Sequence, residues 1–162
     1  MNTGNSKGYT LIELLIAMTI VTIVFTIGLV SFRDFSRRQA LTGILKSVKA
    51  DLRLAQQFAL TGQKPVDCDS SNSLTGYTFR ITGNYTYEIV ANCVSGVTAN
   101  DIIIKSVDFT VNQVTIEANP SSVKFKSLGQ GTNLTAPLTI DLAHDFAGTT
   151  GQVVIGIGGD VE

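Results

Sequence analysis

The chain of 162 residues is poor in several things: one histidine, two cysteines, three prolines, and charge on only 15% of its residues. Each shortage excludes a class of function. His144 is followed by Asp145 in what reads as a turn between strands, and no nucleophile is placed beside it by sequence. A solvated turn pair is therefore the simpler account than a catalytic dyad, and the chain is not expected to be an enzyme. Cys68 and Cys93 form no C-x-x-C pair, which removes a redox motif. Between Tyr9 and Thr61 there is no proline, and between Leu14 and Phe32 there is no charge.

The net charge of −1 conceals an asymmetry. Residues 33–64 carry Arg33, Arg37, Arg38, Lys46, Lys49, Arg53 and Lys64 against Asp34 and Asp51, whereas from Pro65 onward acids outnumber bases. An acidic second half does not attract nucleic acid through its overall field. The uncharged run is long enough to span a bilayer, since a helix from Leu14 to Phe32 rises roughly 28 Å. A cleaved secretory signal would end in a small-residue site, and Gly28-Leu29-Val30-Ser31-Phe32 offers none. A plain anchor leaves one residue without a reason. Glu13 sits near the start of the run, and an ionisable group in a membrane segment costs a few kcal/mol unless it is paired, on the order of 3 kcal/mol by insertion scales.

Lys7-Gly8-Tyr9-Thr10-Leu11-Ile12-Glu13-Leu14-Leu15 resembles the class III signal of type IV pilins and type II secretion pseudopilins: a basic leader, a glycine, an aromatic residue, and a glutamate fifth after the cut. Tyr9 stands where the family usually has phenylalanine. The resemblance implies that a prepilin peptidase cuts between Gly8 and Tyr9, and that Tyr9 is N-methylated. It also implies that Glu13 pairs with the new amino terminus of a neighbouring subunit during filament assembly. The expected partners are the peptidase, other pilins and the membrane, with nucleic acid unexpected. The expected division is a leader over 1–8, a membrane-spanning or filament-core helix over 9–32, an amphipathic continuation over 33–64 and a β-rich head over 65–162. The expected location is a single pass through the inner membrane with the head periplasmic or extracellular. Counting cations favours the opposite orientation, because Arg33, Arg37 and Arg38 exceed Lys7 and the amino terminus, but large domains cross largely regardless of charge. Two cysteines in an exported chain favour an outside head and a Cys68–Cys93 disulfide, which would contribute about 3 kcal/mol in the chain-entropy model.

Beyond the run, Leu41, Ile44, Leu45, Val48, Leu52, Ala55 and Ala59 recur at three- and four-residue steps and predict an amphipathic helix, stopped by Thr61-Gly62 and Pro65. Unbroken from Tyr9 to Thr61 it would reach roughly 80 Å, with Gly28 and Gly43 as the places to bend. Thereafter the period is two. Tyr77, Phe79 and Ile81, a turn at Thr82-Gly83-Asn84, and Tyr85, Tyr87 and Ile89 predict a hairpin. Further strands are expected over Asp101–Lys105, Val107–Val111, Val114–Glu117, Val123–Lys126, Leu138–Leu142 and Gln152–Ile157. The fold class is α+β, with the helical stripe laid on one face of an antiparallel sheet.

Within the pilin-like proteins the chain resembles the GspH/FimT group of minor pseudopilins and pilins, through Ala50–Ala59, Val123-Lys124-Phe125 before Gly129, and Val153-Val154-Ile155 before Gly158-Gly159. Some FimT-type pilins bind DNA through a basic tail; here that tail reads Gly158-Gly159-Asp160-Val161-Glu162, acidic where a phosphate contact needs arginine. A DNA-binding minor pilin and a signal-anchored surface domain are the alternatives. Asp67, Asp69 and Ser71 alternate as in a calcium loop but lack the glycine and closing glutamate of an EF-hand, so no metal or other cofactor is expected beyond this weak calcium pattern. Gly129-Gln130-Gly131 and Gly156–Gly159 precede no helical pattern and read as turns. The alternating aromatics Tyr77, Phe79, Tyr85 and Tyr87 read as core or cross-strand pairs before a binding face.

Overall fold

A computed structural model describes residues 8–162 apart from 69, 70, 97 and 147; for residues 27–31 it describes the backbone and not the side chains. The expected leader, residues 1–8, therefore lies outside the description except for Gly8. Helix α1 runs Leu11–Thr61 and is followed by seven strands: β1 (Ser73–Gly83), β2 (Thr86–Ser95), β3 (Thr98–Asp108), β4 (Val114–Ala118), β5 (Ser122–Lys126), β6 (Leu138–His144) and β7 (Thr150–Ile155). The chain divides into two compact units between Ser36 and Arg37.

In the first unit every large apolar side chain from Leu11 to Phe25 is exposed, with no side of the helix spared. A helix apolar all round has no stable place in water. Among the described residues, however, no helix is long and apolar enough to cross a membrane. The expected span over 9–32 is thus not recovered. The described part of the run, Leu11 to Thr26, rises only roughly 24 Å against a hydrocarbon thickness of about 30 Å, and the side chains that would complete it, 27–31, lie outside the description.

The second unit is α+β and pilin-like, a helix laid on antiparallel strands. Its stripe of Leu41, Ile44, Val48, Leu52, Ala55 and Ala59 is buried. The helix ends in a Schellman motif: Gln63 N–H donates to the Phe58 carbonyl at 3.1 Å and Gly62 N–H to the Ala59 carbonyl at 3.2 Å. Gly62 takes the left-handed conformation this requires, φ 62°. The strands form two sheets where one was expected, in the orders β3-β2-β1-β5 and β4-β6-β7. The stripe packs on both. Phe58 meets Tyr77 of β1 with ring centroids 5.5 Å apart, while Leu45 lies so close to Gly151 of β7 that a Cβ there would collide with it.

Three expectations are corrected. Asp101–Lys105 and Val107–Val111 are not separate strands: β3 is continuous to Asp108, and 110–112 form a 3-10 turn. A register shift opposite Ile89/Val90 reverses the in-out alternation within β3, which makes one strand read as two. His144 is not a solvated turn residue. It ends β6 on the face shared by Leu138, Ile140 and Leu142, is buried, and its Nδ1 accepts the Phe146 N–H at 3.2 Å. The final strand stops at Ile155, short of Ile157.

The helix and the first sheet are joined at Asp51, the one buried acid of the stripe. Its Oδ2 accepts the Tyr87 hydroxyl at 2.6 Å and its Oδ1 the Lys105 ammonium at 2.7 Å. Burial, reinforced by donation to Asp51, pushes the Tyr87 phenol up from its ordinary value near 10. A phenol raised on folding contributes stability that is present below its unfolded value and lost as pH climbs through the folded one. Stability should accordingly hold through neutral pH and fall above about pH 10, the unfolded tyrosine value, and Tyr87→Phe should flatten that alkaline fall in chemical-denaturation midpoints. Asp51→Ala should cost about 2 kcal/mol by leaving a buried hydroxyl and an ammonium without their acceptor, with Asp51→Asn milder.

Candidate functional site

The candidate site is the start of α1. Gly8 and Tyr9 belong to no helix or strand, both are exposed, and among the described residues nothing lies within 4 Å of where a Cβ on Gly8 would stand. A peptide bond so presented is open to a protease. Thr10 then caps the helix. Glu13 N–H donates to Thr10 Oγ1 at 3.3 Å, and Thr10 N–H donates to Glu13 Oε2 at 3.4 Å. This is a reciprocal capping box, which satisfies two backbone donors at the helix start. The pattern Thr10-x-x-Glu13 is visible in the sequence, but sequence reasoning assigned Glu13 to intermolecular pairing alone and missed the local role.

The carboxylate is only partly occupied by the cap. Both bonds are long and exposed, and Oε1 has no partner among the described residues. Glu13 also borders an open apolar hollow with Tyr9, Leu14 and Ala17. The arrangement therefore leaves a carboxylate oxygen ready for a cation that approaches along the apolar helix. Cleavage after Gly8 would create such a cation, an α-amino group on Tyr9.

The other expected sites fall elsewhere. Cys68, in the loop after α1, is joined to Cys93 of β2, 25 residues on, and both are buried. Tyr77, Phe79 and Tyr87 are core residues; Phe79 and Tyr87 pack with centroids 4.8 Å apart. Tyr85 is half-buried and donates to Asp145 Oδ2 at 2.8 Å. Asp67 is exposed, and Asp69 lies outside the described residues. Among the described residues no three potential metal ligands come together. The acidic tail folds back on β7, where Glu162 N–H donates to the Val154 carbonyl at 3.0 Å and Val154 N–H to the Glu162 carbonyl at 3.2 Å.

Residues 3–29 match the family model described as the prokaryotic N-terminal methylation motif. No curated protein and no solved structure matches the chain. The matched segment holds Gly8, Tyr9, Thr10 and Glu13 together. With the helix and the antiparallel head behind it, the motif indicates a type IV pilin-like protein processed by prepilin peptidase.

The capping box makes its own prediction. Thr10→Ala should cost the helix start about 1 kcal/mol and so raise amide hydrogen exchange at Ile12 and Glu13 by roughly fivefold, while Thr10→Ser should leave it near native.

Proposed function

We propose that the chain is a non-enzymatic structural subunit, a minor pseudopilin or pilin of the GspH/FimT kind, serving a type II secretion pseudopilus or a type IV pilus. After cleavage between Gly8 and Tyr9 and methylation of Tyr9, the apolar helix joins those of other pilins in a filament core and the head lies outside it. Before assembly the same helix holds the chain in the inner membrane, with the head periplasmic or extracellular. The observation that carries this reading is the half-used Glu13 carboxylate, five residues after an exposed Gly8, inside the matched methylation motif. No cofactor takes part.

Glu13 also bears on position. A pairing glutamate needs a neighbour stacked next to it, so the subunit belongs below the filament tip or within an initiating complex. The tail that would meet phosphate in a DNA-binding relative is acidic and paired to β7, which favours the structural reading over DNA uptake.

Mass spectrometry of the chain extracted from membranes should show loss of residues 1–8 and one methyl group on Tyr9. Glu13→Ala should reduce the amount recovered in sheared filaments about tenfold or more, because a carboxylate–ammonium pair in low dielectric is worth more than 1.4 kcal/mol. Glu13→Gln, which retains a capping acceptor, should fail at assembly while its helix start stays protected. A native chain that still begins at Met1 and remains monomeric would overturn the reading.

A further inference from the structure

We propose that the end of the head where α1 enters it is a membrane-resting surface, with Phe146 and Val111 at the level of the lipid headgroups and Arg37 and Arg38 on lipid phosphates. This rests on the anchored-subunit reading above.

Hydrogen bonds gather the four residues at one end. Arg37 Nη1 donates to the Phe146 carbonyl at 3.4 Å. Asp145 N–H donates to the Gln113 carbonyl at 2.9 Å, which brings the 3-10 turn Thr110–Asn112 beside the loop between β6 and β7. The platform is braced, since Tyr85 donates its hydroxyl to Asp145 and receives the Phe109 N–H on its carbonyl. On this platform Phe109 and His144 are buried, yet Val111 is 96% exposed and Phe146 64%. Two large apolar side chains at the tips of braced turns contribute nothing to the core.

At this end the arginines are accompanied by two acids fixed within their own turns: Asp145 accepts from Tyr85, and Asp108 accepts the Thr110 N–H and hydroxyl. Arg38 is exposed with no partner among the described residues. Aromatic and aliphatic tips flanked by arginine are the composition that settles at a bilayer interface, and an anionic leaflet attracts cations held near its surface. The occupant follows from connectivity: under the anchored reading the residues just before Arg37 in the chain leave the bilayer, so Arg37 and the turn it bonds come next to it. This also gives the arginines after the apolar run a use on the side that the cation count disfavours.

The opposite end supplies the control. Val66, in the loop after α1, is fully exposed as well, but it lies past the far end of the helical segment from Arg37 to Thr61, which rises roughly 36 Å. The chain has no tryptophan, so Phe146→Trp, Val111→Trp and Val66→Trp each introduce a single reporter at an exposed position. The full processed chain is reconstituted into vesicles of phosphatidylcholine and phosphatidylglycerol, with and without brominated acyl chains. The first two reporters should shift to shorter wavelength and lose about half or more of their emission to bromine, and the third should change little. Arg37→Gln with Arg38→Gln, or high salt, should weaken the quenching at Phe146→Trp. If the chain floats with the vesicles while Phe146→Trp is no more quenched than Val66→Trp, the inference falls and the anchor stands. If the chain does not float, both fall. A Phe146→Trp reporter that becomes shielded only in assembled filaments would assign the surface to a neighbouring subunit and overturn the proposal.

Discussion

An ionised carboxylate on an otherwise apolar helix needs a donor at every stage, and the amino-terminal half of this chain is arranged around that need. In water the capping box is enough: a cap is worth about 1 kcal/mol, and solvent supplies whatever else the carboxylate lacks. In hydrocarbon it is not enough, because the charge itself then costs several kcal/mol and two long hydrogen bonds cannot offset it. The difference between these magnitudes means that the cap holds Glu13 in place without satisfying it. A second, charged partner becomes necessary as the helix moves deeper among apolar neighbours, and the proposed cleavage between Gly8 and Tyr9, within five residues, would create one.

The same helix meets a different demand after Ser36. Here its apolar residues narrow to a stripe, and the stripe is covered from two directions by two sheets. Gly151 allows Leu45 to approach β7 without a Cβ between them, and the Phe58–Tyr77 contact fixes the helix against β1. Asp51 provides direction. An apolar stripe alone tolerates sliding along a sheet, whereas an acid that accepts from both Tyr87 on β2 and Lys105 on β3 has one position in which both bonds are made. The Schellman stop at Gly62 and the Cys68–Cys93 bridge then hold the exit of the helix against the far end of β2.

Much of this is legible in the sequence, because local patterns carry it. Glycine, aromatic residue and glutamate at fixed spacing fall inside the matched methylation motif; three- and four-residue steps mark the stripe; Gly62 and Pro65 mark its end. What was not legible depends on partners far along the chain. Asp51 stands on the buried face between Val48 and Ala55, a visible anomaly, but nothing local names Tyr87 and Lys105 as its donors. The bulge in β3 is set by pairing with β2, so the run Ile102–Val107 reads as two strands when viewed alone. His144 was within reach: continuing the period of Leu138, Ile140 and Leu142 by one more step places it inside. The division into two sheets left no local signal, since every strand keeps the same alternation whichever sheet it joins.

The distribution of cations argues against a polyanion-binding head. Three of the four on the strands of the first sheet are committed internally, Arg80 to Glu88 and Asp101, Lys105 to Asp51, and Lys124 to the Thr75 hydroxyl, which leaves Lys126 exposed at the end of β5. Arg53 is turned toward the tail, where it donates to the Val161 carbonyl. A phosphate backbone needs several uncommitted cations in a row, and the β surface does not present them. Among the described residues, most of the basic charge without a side-chain partner lies along α1, at Arg38, Lys46 and Lys49. Electrostatic recognition in this chain therefore belongs to the helix and to its entry into the head, and the sheets serve to hold that helix in place.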